Sequence, residues 1–485
     1  MNHATVLTRF AHAMLAFVLV VAMCVPMHAF ADEPSEDAAS SMAQSGDSSP
    51  GDASPDSSVP EGPDDDVQSD SDSAKAVDVS SSQEPATVSS EPAPAAAGVV
   101  TMQQGAGEAK DYDSISAALA DVADYDYKTN KEAYVITLNW HVDGPVTIPA
   151  NKKVVIDLNG KQFKTTDDAL IVESRLATLQ DSQGGGRIES MYGTAVTIHA
   201  DAKLAVLSGE ITSHSASYGI NNGGTLTMTG GSVYGIANNS SATISGGTVK
   251  GGVADIAIRN AGKLTLKGGS VSNGSTDPDS PAIMSHPSSS LIVSDGWISS
   301  PGTAVYARNL ASLQISGGLI SGDQCGVDVD GSTKVDISGG AFRSYSGFAL
   351  SADGTVAATI SGGEFTSASG KKAIDRKDTA TVTLSGGTFN VASAADVCDS
   401  STFVDRYGAV ERDGQVYVEM TSPAAVVIAE DGTQTAYETL TKACSNAPAY
   451  STVKLMEDAV LSKYAAKVQQ FGVTVDLNGF SIDGT

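Results

Sequence analysis

The 485-residue chain is poor in cations, with 29 Lys and Arg against 57 Asp and Glu and a net charge of −28. That balance argues against nucleic acid and against an anionic membrane surface as partners. Cysteine is scarce too. Of the four, Cys24 lies in a leader described below, which leaves Cys325, Cys398 and Cys444. An odd number gives no disulfide framework, so stability has to come from packing. Long apolar runs are missing beyond residue 31. No integral membrane span is therefore expected once the leader is removed. His199, His214 and His286 are scattered, without Cys or His partners at ligand spacing. They read as solvated turn residues, and no metal and no cofactor is expected.

What the chain does have is a repeat. Leu-Thr-Met-Thr-Gly-Gly-Ser-Val stands at 226–233, Ala-Thr-Ile-Ser-Gly-Gly-Thr-Val at 242–249 and Leu-Gln-Ile-Ser-Gly-Gly-Leu-Ile at 313–320. Further copies lie at 264–271, 335–342, 358–365 and 382–389, with degenerate ones at 204–211 and 291–298. The second glycines recur mostly every 22–24 residues, with one gap of 16 and one of 27. Repeats of this period mean a solenoid. Alternation within the phrase means a strand with one buried face: Leu226, Met228 and Val233 point in, Thr227 and Ser232 out. A second apolar pair precedes several phrases, as at Val305/Ala307 and Val327/Val329. One coil then holds two or three short strands. Gly-Gly marks a corner where a side chain would clash or φ must be positive. The expected fold is all-β, a single-stranded right-handed parallel β-helix with an N-terminal capping helix.

The chain order supports four segments. Residues 1–31 read as a secretory signal: Arg9, an apolar run from Ala13, and Ala29-Phe-Ala31 as cleavage site. Cys24 follows Val-Val-Ala-Met, which departs from a lipoprotein signal. Residues 32–98, rich in Ser, Asp, Pro and Ala, cannot bury enough surface to order themselves and read as an acidic linker. Residues 99–421 hold the β-helix. Asp113 or Ser114 caps a helix carrying Ile115, Leu119 and Val122, which covers the open end of the stack, and Asp413-Gly414 turns a closing hairpin. Residues 422–485 begin a second, truncated unit, with Tyr437 to Cys444 echoing Tyr112 to Leu119 and Val473 to Gly479 echoing Val154 to Gly160. Thr435 and Glu438 have capping-box spacing. Cys444 lies on the apolar stripe of this helix and reads as a buried thiol.

Few residues suggest chemistry. The best charged group is Arg259, Arg308, Asp328, Asp330, Asp375 and Arg376. Arg308 and Asp330 hold the same outward position one coil apart, which reads as a lateral salt bridge rather than a catalytic pair. Asp328-Val-Asp-Gly331 resembles part of a calcium loop but lacks its other ligands. No residue is assigned a catalytic or metal-binding role. One column is less bland. The residue after Gly-Gly faces out, and Trp297, Leu319 and Ala341 are successive members of it. They would form an exposed apolar strip, with Tyr306 in reach, and exposed aromatics stack on sugars or anchor proteins. The insertion 273–290 lies just before Trp297 and either covers it or leaves it bare. Trp297, Leu319 and Tyr306 are the candidate ligand contacts.

The region 99–485 resembles the right-handed parallel β-helix, or pectate lyase-like, superfamily. More narrowly it is similar to β-helix modules of large bacterial surface proteins. The resemblance rests on Tyr112 to Ile115, Ile136 to Leu138, Ile156 to Gly160, the Ile-Ser-Gly-Gly phrases and the closing segment Tyr407 to Val418. It implies an exported, adhesin-like protein, a monomeric rod with a glycan or a host-surface protein as partner. Fold alone does not imply activity. The Asn-Thr-Asp, Asp-Asp and Gly-His-Gly signatures of pectin hydrolases are absent from the coils; Asp167-Asp168 lies in a loop before the regular repeat. The expectation is a non-enzymatic, secreted or cell-surface carbohydrate-binding module. The alternative is a polysaccharide lyase or glycoside hydrolase acting on acidic polysaccharide.

Overall fold

The computed structural model describes residues 98–214, 218–251, 256–274, 280–461 and 466–484. The leader and all of the linker but Gly98 lie outside them. From Tyr134 onward the chain winds as an all-β, right-handed parallel β-helix, each strand hydrogen-bonded to its counterpart one coil away. A coil has three faces. The first face begins with Tyr134–Leu138 and Lys153–Asp157, the second with Val142–Asp143 and Gln162–Thr165, and the third with Val146–Ile148 and Leu170–Val172. The third face runs through eleven parallel strands to Ile374–Arg376. From Lys263–Ser272 onward the first two strands of a coil fuse into one of ten or eleven residues, with the glycine corner inside it.

Both reasons for glycine at the corner apply, each to a different residue. A Cβ on Gly317 would lie 2.2 Å from the carbonyl oxygen of Ser294 in the preceding coil. Gly318 has φ +87°, where a side chain is strained. The first glycine thus allows close stacking and the second makes the bend.

The interior is columns of like residues. Val293, Ile315, Ile337 and Ile360 are at most 1% exposed and sit in direct register. Each contributes about 1.5–3 kcal/mol through burial. In a separate inward column, Ile298 and Ile320 are followed by Phe342, Phe365 and Phe389, whose rings stack with centroids 4.6 and 4.9 Å apart. One polar column also runs inside. Asn222 donates its side-chain amide to Asn238 and Asn238 to Asn260, each at 2.8 Å. Each amide also reaches a backbone carbonyl one coil on, those of Ser241 and Lys263. A fully satisfied ladder of this kind offsets the cost of burying its amides and fixes the register of three coils.

Closure takes more than the expected helix. Ser114 Oγ accepts from Ala117 N at 3.1 Å and starts the helix Ile115–Asp121, whose Ile115, Ala118 and Leu119 are buried in the main core. Beside it, Val100–Gln104 lies antiparallel on Tyr134–Leu138, so its backbone occupies the edge the first coil would otherwise expose. The hairpin of Tyr407–Arg412 and Gln415–Met420 turns at Asp413-Gly414 and lies antiparallel on Phe389 of the last coil.

A second, smaller core follows, built on Ala425, Val427, Leu440, Ala443, Cys444, Val453 and Leu455. It repeats the start of the first in detail. Thr439, not Thr435, caps its helix Leu440–Asn446, accepting from Lys442 N. Thr435 is instead part of Gln434–Tyr437, paired with Ala425–Ile428, so the backbone pairing overrides the capping-box spacing. Asn159 donates to Leu138 O at 2.9 Å, and Asn478 to Leu455 O at 3.0 Å. Arg406 joins the closing hairpin to this second core through a bidentate ion pair with Glu457.

Three variants test the inside and outside of the coil. Ile315→Asp buries a charge in the core and is expected to abolish cooperative unfolding. Phe365→Ala should cost about 3–5 kcal/mol, and Gln314→Ala, one residue from Ile315 but exposed, should stay within about 0.5 kcal/mol of the parent. Equal denaturant midpoints for all three would contradict the assignment.

Candidate ligand-contact face

The second face presents the outward column intact. Glu210 pairs with Ser232, Ser232 with Thr248, Thr248 with Ser270, Ser270 with Trp297, Trp297 with Leu319 and Leu319 with Ala341. Glu364 and Thr388 continue it. Neighbours are ~4.8 Å apart, the spacing of adjacent strands. Trp297 is 52% exposed, and Leu319 and Ala341 beside it are half-buried. The described feet of the insertion are held at the corner beyond the face: Asn273 donates to Ser280 O at 2.7 Å, and Ser300 Oγ to the same oxygen at 3.0 Å.

Tyr306 is not part of this strip. It lies on the third face, in register between Met284 and Asp328. Nine residues after Trp297 the chain has turned a corner, so proximity in sequence does not carry over to the surface.

The charged group of the third face resolves into separate pairs. Arg308 Nε lies 3.3 Å from Asp330 Oδ2, the lateral pair that the repeat alignment implies. Asp375 pairs with Lys377 at 3.2 Å, Arg259 Nε donates to His286 Nε2 at 2.7 Å, and Arg376 Nε donates to Ala380 O. Burial pushes the Asp328 carboxyl above its ordinary range, partly offset by a hydrogen bond from Ser351. Asp168 accepts from Thr194 N and Thr197 Oγ1, so it ties the loop that carries it to the next coil. Among the described residues no three His, Cys, Asp or Glu stand where they could share a metal ion. The three described cysteines are buried and unpaired. Burial pushes Cys398 up to about 11, and Cys325 and Cys444 upward as well, so none is a thiolate at neutral pH.

A denser charged group lies on the second face itself, nearer the N-terminus. Glu189 is 6% exposed. It accepts from His214 Nε2 at 2.8 Å and lies 3.4 Å from both Lys164 Nζ and Arg187 Nε. Around it opens a groove of about 520 Å³ lined by Arg187, Glu210, Thr212, His214 and Tyr234. Its members sit on neighbouring coils, Lys164 beside Glu189 in register and Arg187 beside Glu210. These coils precede the regular Gly-Gly phrase, so the repeat alignment could not bring the residues together. His214, read from sequence as a solvated turn residue, is one wall of this group. Burial pushes the Glu189 carboxyl up, but the His214 hydrogen bond and the charges of Lys164 and Arg187 outweigh it, and the net shift is downward. An ionised, triply partnered carboxylate cannot act as a general acid; it ties coils together.

No family model matches this chain, and no curated protein and no solved structure matches it either.

The downward shift of Glu189 has a sign that can be measured. A carboxyl lowered in the folded state stabilises the fold above its unfolded value, about 4.3 for Glu. That contribution is lost as pH falls through the lowered value. The melting temperature of the parent should therefore drop more steeply below about pH 4.3 than that of Glu189→Gln. Superimposable acid limbs would contradict the assignment.

Proposed function

We propose that the chain is an exported β-helix module, secreted or displayed at a cell surface, that binds a glycan or a host-surface protein without catalysis. The observation that carries this reading is the strip of Trp297, Leu319 and Ala341, with an indole 52% exposed. An exposed aromatic within a contiguous apolar strip suits a contact surface, and a flat indole face suits the apolar face of a sugar ring. Hydroxyl side chains of Ser232, Thr248 and Ser270 continue the column toward the groove at Arg187 and Glu210. They offer donors and acceptors at coil spacing beside the aromatic anchor. The leader pattern at 1–31 supports export. A stiff rod behind an acidic linker suits presentation of such a face away from a surface, and the chain is proposed to act as a monomer without a cofactor.

The test is a glycan array and a panel of host-surface proteins probed with the parent and with Trp297→Ala. Loss of a specific signal, about tenfold or more in Kd, with an unchanged melting curve is the expected outcome. Equal binding by both proteins would contradict the role of Trp297. Release of unsaturated, ultraviolet-absorbing products from pectin or alginate by the purified protein would contradict the non-catalytic reading.

A further inference from the structure

The first face carries a different surface. Two columns of its outward positions run along the solenoid axis. In one stand Lys153, Leu176, Lys203, Thr225, Ser241, Lys263, Ser290, Ser312, Lys334, Ala357 and Thr381. In the other, Thr178, Thr227, Thr243, Thr265, Thr359 and Thr383 stand among apolar residues and Gln314, and Asp336 is the single acid. Four lysines against one carboxylate reverse the ratio of a chain with 29 basic and 57 acidic residues.

These lysines are not consumed by ion pairs. Among the described residues Lys203 and Lys263 are exposed and lie within 4 Å of no carboxylate. Lys153 donates to the Lys131 carbonyl and lies over the Tyr125 ring. Lys334 alone meets an acid, Asp336 at 3.3 Å. Successive lysines are two, three and three coils apart, about 10, 14 and 14 Å at the strand spacing. Serine and threonine hydroxyls fill the coils between them. At the N-terminal end the row passes a groove of about 240 Å³ lined by Lys153, Arg175, Leu176, Lys203, Thr178 and Thr227.

We propose that this face binds a linear acidic polysaccharide, carboxylated or sulfated, laid along the solenoid axis. The ammonium groups would meet charges spaced several sugars apart, and the hydroxyl rows would meet the sugar hydroxyls between. Nucleic acid fits less well. Duplex DNA carries a charge about every 1.7 Å, single strands are held by stacking on aromatic side chains, and neither outward column of this face contains an aromatic residue. The site is separate from Trp297, which stands on the second face, and it does not depend on what Trp297 binds.

Binding of polygalacturonate, dextran sulfate, neutral dextran and single-stranded DNA of matched length is measured by calorimetry at low and high salt. The proteins are the parent, the single variants Lys203→Gln and Lys263→Gln, the triple variant Lys203→Gln/Lys263→Gln/Lys334→Gln, and Trp297→Ala. The parent is expected to bind at least one acidic glycan at low salt, more weakly at high salt, and not neutral dextran. The triple variant should bind about tenfold or more weakly and each single variant by a smaller factor, with melting curves unchanged, while Trp297→Ala binds as the parent does. Should the triple variant fail to fold, the two single variants decide. Equal affinity of parent and lysine variants, no binding of either acidic glycan at low salt, or tighter binding of the DNA would each overturn the proposal.

Discussion

The structure depends on one close approach, repeated at each coil that carries the full Gly-Gly phrase. At the corner of the Gly-Gly phrase the backbone of one coil lies against the carbonyl of the coil before it, as Gly317 lies against Ser294, too near for any side chain. That contact holds the first and second faces of successive coils at hydrogen-bonding distance. Every interior residue then falls on its counterpart: leucine on leucine, phenylalanine on phenylalanine, asparagine on asparagine. A solenoid of this kind has no tertiary contacts between distant parts of the chain and is stable as a sum of neighbours. The ends matter for the same reason. The helix and antiparallel strand at one end, and the antiparallel hairpin at the other, break the parallel ladder where it would otherwise continue.

The same register governs the surface. Whatever stands at one outward position in a coil is followed ~4.8 Å on by its counterpart, so single substitutions between coils become rows. The second face has a charged groove followed by hydroxyls and then an apolar strip; the first has widely spaced lysines between hydroxyls. Under the two proposals these surfaces would meet different partners, because they lie on different sides of the coil and share only the glycine corner.

Much of this was legible in the residues. The phrase alone indicated the strands, their inner and outer sides, the corner and the column through Trp297, because a period-two pattern tied to Gly-Gly leaves no freedom of register. The Arg308–Asp330 pair followed from the same alignment. What was not legible depends on geometry between faces. Tyr306 was placed near Trp297 on sequence distance, and the third turn of the coil puts it on another sheet. The Glu189 group escaped because its members precede the regular phrase. The asparagine ladder had a visible signal, an apolar residue two before Asn222, Asn238 and Asn260, but polar residues at inward positions run against the pattern used to find strands. The strand Val100–Gln104 has five residues, and its counterpart, Ala425–Ile428, lies outside the repeated phrases. Only its pairing across the first coil shows what it does.

The claim beneath the rest is that 22 residues make one interchangeable coil. It is tested most directly by deleting residues 313–334, which joins Ser312 to Val335, the register partner of Leu313. The account predicts a shorter rod that still unfolds in one cooperative transition, with far-ultraviolet circular dichroism per residue unchanged. Removal of only residues 313–323, half a coil, should turn inward residues outward and abolish the transition. If both deletions unfold alike, or both are tolerated, the coil is not the unit of this structure.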